Sequence, residues 1–393
     1  MEYVKLGELC DFINGDRGKN YPSGDDFINH GVPFINAGHL KNGEISFESM
    51  NYISEEKFGI LKTGKVKKKD ILYCLRGSLG KNAIVDIDEG AIASSLIILR
   101  PNLEKINERY LTYYLNSNKV SEQMTRANNG SSQPNLSAAS VKDYDIYVPP
   151  LETQQKIADT LDKAQQLINN RKQQITELDN LTQSIFYDMF GDLRQNSMNW
   201  DVIKLDQLGN VGSSRRVFVE ELVDNGIPFY RGTEIGDLAT GEKISPSLFI
   251  TPEHYENLKA STGVPKIGDL LLPSICPDGR IWIVDTTEPF YFKDGRVLWI
   301  NLEKSDIIES KYLKHMLKEK FRLDYHKIAS GTTFAELKIF ILKDLDILVP
   351  PKELQIKFSE VIQKIEEQKT ILVKGLNELE NNFNSLMQKS FER

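Results

Sequence analysis

The sequence is poor in cysteine. Its three, Cys10, Cys74 and Cys276, lie too far apart for a disulfide framework or a paired-cysteine metal site. They are expected to be ordinary buried or half-buried thiols. No apolar run approaches the roughly 18 residues of a membrane span. The start, MEYVKLGELCDFING, has no secretory apolar core, so a cytoplasmic protein without membrane partners is expected. Basic excess is missing too: 49 Lys and Arg face 56 Asp and Glu, a net charge of -7. Residues 1–150 carry 18 basic against 19 acidic side chains, and residues 193–349 carry 20 against 23. DNA affinity comes largely from cations that neutralise phosphates. A DNA-binding role therefore requires localised clusters or charge lent by a partner.

Catalytic motifs are missing as well. No GxxxxGK[ST] phosphate loop is present, because Gly80-Lys81 lacks the upstream glycine and the following hydroxyl residue. There is no HExxH, and His30, His39, His254, His315 and His326 show no ligand spacing. Asp86, Asp88 and Glu89 read as a solvated turn better than as a metal site. The Pro-Pro pairs sit in VPPL and VPPK, not in the Pro-Pro-aromatic motif of adenine methyltransferases. A non-catalytic binding protein without cofactor or metal is expected.

What the sequence does have is a duplication. VKLGEL from Val4 resembles IKLDQL from Ile203, and GVPFINAG from Gly31 resembles GIPFYRGT from Gly226. KKKDILYCLRGSLGKNAIVD, ending at Asp86, resembles KIGDLLLPSICPDGRIWIVD, ending at Asp285. NERYLTYYL matches ESKYLKHML, and GSSQPNLSAASVKDYDIYVPPLE matches GTTFAELKIFILKDLDILVPPKE. The five offsets run 199, 195, 199, 202 and 201, which leaves little room for chance. Short β-type runs such as GVPFIN, DILYCL and SLIILR, then one helical stretch (NERYLTYYLNSNKVSEQM or ESKYLKHMLKEKFRLDYHKI), make each repeat an α+β domain with a curved, mainly antiparallel sheet.

After each Pro-Pro pair the spacing changes to that of a long helix. Apolar residues recur at Ile157, Leu161, Ala164, Ile168, Ile175, Leu178, Ile185 and Met189, with breaks at Arg171 and Thr182. The second copy offers Phe358, Ile362, Ile365, Leu372, Leu376, Leu379, Phe383 and Leu386, with breaks at Lys369 and Ser390. A seam running from Glu152 to Phe190 cannot be buried by one helix alone. Its duplicate is the expected partner, in an antiparallel coiled coil with pseudo-twofold symmetry between the repeats. The expected boundaries are residues 1–148, 149–192, 193–349 and 350–393.

Candidate DNA contacts are polar loops. The run Lys62, Lys65, Lys67, Lys68 and Lys69 suits phosphates, and a solvated loop is an equal alternative. Arg76, Ser78, Lys81 and Asn82 follow in a Gly-rich turn, with Ser274, Asp278 and Arg280 in the second copy. Such side chains match base-edge donors and acceptors. Ser131, Ser132, Gln133 and Asn135 before the first Pro-Pro pair face Thr332, Thr333, Phe334 and Glu336 before the second. Asn14, Asp16, Arg17 and Lys19 stand near the place of Ser213, Ser214, Arg215 and Arg216, and Asn36-Ala37 near that of Tyr230-Arg231. Matching scaffolds with divergent loops imply two different half-sites, with neutral drift as the alternative.

A strand ending in Pro-Pro, then a glutamine-bearing heptad helix, all duplicated, resembles the specificity subunit of type I restriction–modification enzymes. The junctions are DIYVPPLETQQKIADTLDKAQ and DILVPPKELQIKFSEVIQKIE, and IFYDMFGD from Ile185 resembles the family's central conserved region. The resemblance implies two target recognition domains, each reading half of a bipartite asymmetric sequence in double-stranded DNA. The helices then set the spacer and dock two modification (methyltransferase) subunits. Those subunits bring S-adenosylmethionine; restriction (translocase/nuclease) subunits bring ATP- and Mg-dependent translocation and cleavage. Copy two departs from the pattern in two places: Leu354-Gln355-Ile356 stands where copy one has Thr153-Gln154-Gln155, and TTFAE replaces SSQPN. The alternative without a family is a cytoplasmic coiled-coil scaffold that binds proteins.

Overall fold

The computed structural model describes residues 3–127, 135–275, 279–304, 306–330 and 336–391. The chain divides into two compact units: residues 1–174 with 372–393, and residues 175–371.

In the first unit, Cys10–Asn14, Leu96–Pro101, Ile71–Cys74 and Asn82–Ile84 form an antiparallel sheet in that order. Ile71–Cys74 is buried at every position, which is why it reads as a continuous apolar run rather than an alternation. A second sheet has the order Ala91–Ile92, Val32–Ile35, Asn51–Ile53 and Phe27–Ile28, with its first pair parallel. Tyr3–Lys5 pairs with Asp145–Tyr147 and closes the domain next to the Pro-Pro junction.

The second unit repeats this plan. Its main sheet runs Asn210–Gly212, Val297–Asn301, Leu270–Pro273 and Trp282–Ile283, and Asp201–Lys204 pairs with Asp346–Val349 as the closing ribbon. Ile227–Tyr230 again has a parallel neighbour, Tyr291–Phe292. The copies differ after this strand: the first continues into the hairpin of Leu40–Lys41 and Glu44–Ile45, the second into the helix Gly232–Ala239.

The long helices are Leu151–Phe190 and Lys352–Phe391, 40 residues each and so about 60 Å long. The packed face overlaps the expected seam near each helix start and lies one position past it near each end, where Phe186, Phe190, Met387 and Phe391 are buried and Ile185, Met189 and Leu386 only partly so. In the first unit Ile157 and Leu161 share a core with Phe383, Leu386, Met387 and Phe391. In the second, Ile185, Phe186 and Phe190 share one with Phe358, Ile362 and Ile365. Rising numbers on one helix meet falling numbers on the other, so the pairing is antiparallel within each unit. The polar breaks are satisfied locally. Thr182 and Ser390 donate to the carbonyls of Leu178 and Leu386. The Arg171 guanidinium reaches the Leu372 carbonyl (3.4 Å) across Gly375, where a Cβ would lie 2.3 Å from its Nη1.

One sequence expectation changes. The stretch read as a single helix in the first repeat is two, Glu108–Leu115 and Asn118–Ala127. Asn116 leaves the helical conformation (φ -98°, ψ 7°), and its side chain donates to the Thr112 carbonyl and pairs with Asn82. The second repeat keeps one helix, Ser310–Ile328, with a kink at Asp324.

Candidate nucleic-acid interface

In both repeats the first helix after the main sheet lies against a long helix, and the joint is built from one buried glutamine. Gln154 is fully buried; its Oε1 accepts from the Asn107 amide (2.8 Å), and its Nε2 donates to the carbonyls of Lys105 (3.1 Å) and Pro149 (2.8 Å). Gln355, also fully buried, does the same with the Glu309 amide (2.8 Å) and the carbonyls of Ile307 (3.0 Å) and Pro350 (2.8 Å). Buried main-chain groups require such partners, so each glutamine fixes its domain to its helix at two points and ties down the Pro-Pro junction at a third.

From that joint outward, the first unit's loops are tied together by backbone contacts. Asp16 accepts from the amides of Arg17 and Lys62, 2.7 Å each, and Gly64, in the left-handed region (φ +79°), crosses Gly15 so closely that a Cβ would lie 2.8 Å from its Cα. Arg17, Lys19 and Lys67 stand exposed beside this crossing region with no side-chain bond to any described residue. Arg76 and Ser78 are exposed on the Gly-rich turn, and the Arg76 backbone bridges to Asn135.

Other candidates are engaged internally. Asn82 is buried and exchanges hydrogen bonds with Asn116 at 3.0 and 3.1 Å. Lys81 donates to the Ala37 carbonyl (3.0 Å) and Lys69 pairs with Glu108 (3.3 Å). Lys68 lies 4.0 and 3.9 Å from Asp86 and Asp88, and Lys65 lies over the Phe58 ring. Within the first unit a groove of about 1450 Å³ opens beside Lys81, lined by amides such as Asn116, Gln165, Asn169 and Gln388.

In the second unit the loop candidates are spent more fully. Ser274 is buried on the Gly295 carbonyl (2.9 Å), and Ser213 and Ser214 donate to the carbonyls of Val297 and Phe292 at 2.6 Å. Arg216 pairs with Asp294 (3.0 Å), and Arg231 with Glu234 (2.6 Å). Tyr230 stacks on Phe290, their rings 22° apart. Arg215 is exposed, and Arg280 is half-buried against Gly236. Ser131, Ser132, Gln133, Thr332, Thr333, Phe334, Cys276 and Asp278 lie outside the described residues. Cys10 and Cys74 are free and buried, and burial pushes the Cys10 thiol up to about 12. Among the described residues no His, Cys, Asp or Glu group is arranged to hold a metal, and no helix is long and apolar enough to cross a membrane.

A model of the type I restriction modification DNA specificity domain matches this chain twice, over residues 1–179 and 198–381. The chain belongs to that family. This specificity-family chain is 28% identical over 278 residues to a putative type I restriction enzyme specificity subunit of Haemophilus influenzae, covering 70% of this chain and 68% of that protein. It is 24% identical over 386 residues to the MjaVIII specificity subunit of Methanocaldococcus jannaschii, covering 93% and 86%. The crystal structure of the type I restriction-modification S subunit from M. genitalium shares its fold, with a TM-score of 0.57 at 16% identity over 99% of this chain and 96% of that one.

Sequence reasoning about the specificity family's loops missed the load on Gln154 and Gln355, although both stand fourth after the second proline of the junction. It also passed over the lysines of Ser310–Ile328, whose signal was helical spacing rather than loop composition.

Proposed function

We propose that this chain is the DNA-reading subunit of a type I restriction–modification complex, each repeat contacting one half of a bipartite, asymmetric sequence. The observation that carries the reading is a family-matched scaffold present twice, with the same strand order and the same glutamine joint, bearing different side chains on its loops. Rigid sheets that hold variable polar loops are the arrangement sequence-specific readers use. Arg17, Lys19, Lys67, Arg76 and Ser78 in the first repeat and Arg215 in the second are the proposed loop contacts, being exposed and uncommitted by side chain. Asn82 and Ser274 are left out because their polar atoms are already bonded inside the fold.

The helical pair is proposed as the spacer ruler and as the docking site of two modification subunits, which would bring S-adenosylmethionine. Restriction subunits, with ATP and Mg, would complete the complex. The acidic balance of this chain fits a phosphate clamp shared with such partners.

Exchange of residues 1–148 for those of a relative, in cells that carry the modification subunit, is expected to change one half of the methylated sequence and leave the other intact. Methylome sequencing reads the result, and an unchanged target overturns the reading. Removal of one heptad from both long helices is expected to alter the recognised spacing while sparing the half-sites.

A further inference from the structure

The helix Ser310–Ile328 carries Lys311, Lys314 and Lys318 at spacings of three and four residues, which places them along one face. Seven residues of helix advance about 10 Å. That length matches the axial rise of about three base-pair steps of duplex DNA, at roughly 3.4 Å each.

These lysines are poorly neutralised. Lys311 donates to a neutral group, Gln363, at 2.9 Å. Lys314 is only 18% exposed, and its nearest carboxylate, Glu366, is 3.8 Å away. Lys318 is exposed and forms no hydrogen bond or ion pair with any described residue. A fourth cation, Lys369 of the second long helix, is held by Asp179 at 2.5 Å. Burial pushes the Lys314 pKa down; Glu366 opposes this, while Lys318, Lys311 and Lys369 push the same way. His315 adds no charge at neutral pH, since burial and the adjoining lysines push it down to about 3. Folding stability gains nothing from crowding like charges in this way, whereas a bound polyanion would relieve it.

The stripe also adjoins the second repeat's Gly-rich turn. The Lys318 stem packs on Gly279, where a Cβ would sit 3.1 Å from its Cγ, and the next residue is Arg280. The first repeat has no such stripe. Its matching positions are Arg109, locked to Asp159 and Asp162, then Thr112, and Asn116, paired with Asn82.

We propose that Lys311, Lys314 and Lys318 track the phosphates of a DNA backbone alongside the second recognition domain, a contact the first domain does not make. This inference rests on the DNA-reading function proposed above. The test uses the full chain and a random-sequence duplex, with binding followed by fluorescence anisotropy from about 50 to 200 mM salt. The triple variant Lys311→Gln, Lys314→Gln, Lys318→Gln removes the charges and keeps the first two stem carbons, and its log-affinity against log-salt slope is expected to be shallower by about 2.7, at about 0.9 per phosphate. A matched control removes Lys163, Lys357 and Lys364, exposed on the long helices, and is expected to leave the slope unchanged. An unchanged slope in the folded stripe variant, or an equal loss in the control, overturns the proposal while the DNA-reading function stands. A wild-type chain that binds no duplex at any salt overturns the stripe, whereas the DNA-reading function, whose phosphate clamp can be shared with partners, is overturned by the unchanged methylation target described above. If the triple variant fails to fold, the exposed Lys318→Gln alone is expected to lower the slope by about 0.9, and no change again overturns the stripe.

Discussion

In the first unit the end of the second long helix brings Met387 and Phe391 against Tyr110 and Leu161, whereas in the second the end of the first long helix brings Phe186 and Phe190 against Tyr312 and Phe358. The slot is the same, and its chemistry is not. In the second unit four rings contact one another, with centroids 4.7 Å apart for Phe190 and Tyr312 and 5.2 Å for Phe190 and Phe358. In the first, Ile157 stands at the place of Phe358, and the helix Glu108–Leu115 is held instead by Arg109 forked onto Asp159 and Asp162, with the Tyr113 hydroxyl on Asp162 at 2.7 Å. A duplicated joint has kept its geometry while one copy relies on apolar burial and the other on ion pairs. Within the recognition domains the uncommitted candidate contacts divide the same way: in the first they are on loops, in the second chiefly on the helix Ser310–Ile328.

This contrast breaks most visibly at Phe358. It is fully buried, and Phe358→Ala is expected to cost roughly 3–5 kcal/mol, whereas Ile157→Ala, half-buried at the matching position, is expected to cost clearly less. Urea midpoints measure both, and equal losses would remove the distinction between the two cores.

A smaller effect, equal in the two units, is expected from the glutamine joints. Gln154→Leu and Gln355→Leu each leave one amide and two carbonyls without their partner, at a net cost of about 2 kcal/mol. Hydrogen exchange should then speed up at Asn107 in one variant and at Glu309 in the other. If only one of them destabilises, the joints are not equivalent.

The smallest effect concerns the carboxylates that open the third main-sheet strand of each unit. Asp70 is paired with Arg100 at 2.8 and 2.7 Å; Asp269 has no such cation among the described residues and accepts from Trp299 Nε1 at 2.8 Å and from the Lys266 amide at 2.9 Å. Burial pushes the Asp269 pKa up. A raised folded-state pKa means a stabilising term that is complete below the unfolded value and is lost as pH rises through the folded one. The stability advantage of the wild type over Asp269→Asn is therefore expected to be largest at acid pH and to shrink toward neutrality. Thermal midpoints across that range check it, and a constant difference would contradict it.

The repeat and the long helices were legible because both rest on periodic, long-range patterns. The expected helix from Glu152 to Phe190 differs from Leu151–Phe190 by one residue, while near the helix ends burial falls on Phe186, Phe190, Met387 and Phe391, one position past the expected seam. The break at Asn116 was not legible, because it depends on a side-chain partner, Asn82, 34 residues away. Burial of Asn82 and Ser274 was hidden for a related reason: a polar residue in a Gly-rich turn looks available until the carbonyls and amides around it are placed. Lys311, Lys314 and Lys318 were passed over since cations were sought in loops.

The glutamine joint has a consequence for how such a chain varies. Gln154 bonds to the main chain of Lys105, Asn107 and Pro149, and Gln355 to that of Ile307, Glu309 and Pro350. A latch that grips only backbone is blind to the identity of the residues it holds. The attaching side chains, such as Arg109 and Tyr113, lie on a helix rather than on loops, so new DNA preferences can accumulate on the loops without loosening the domain from its long helix.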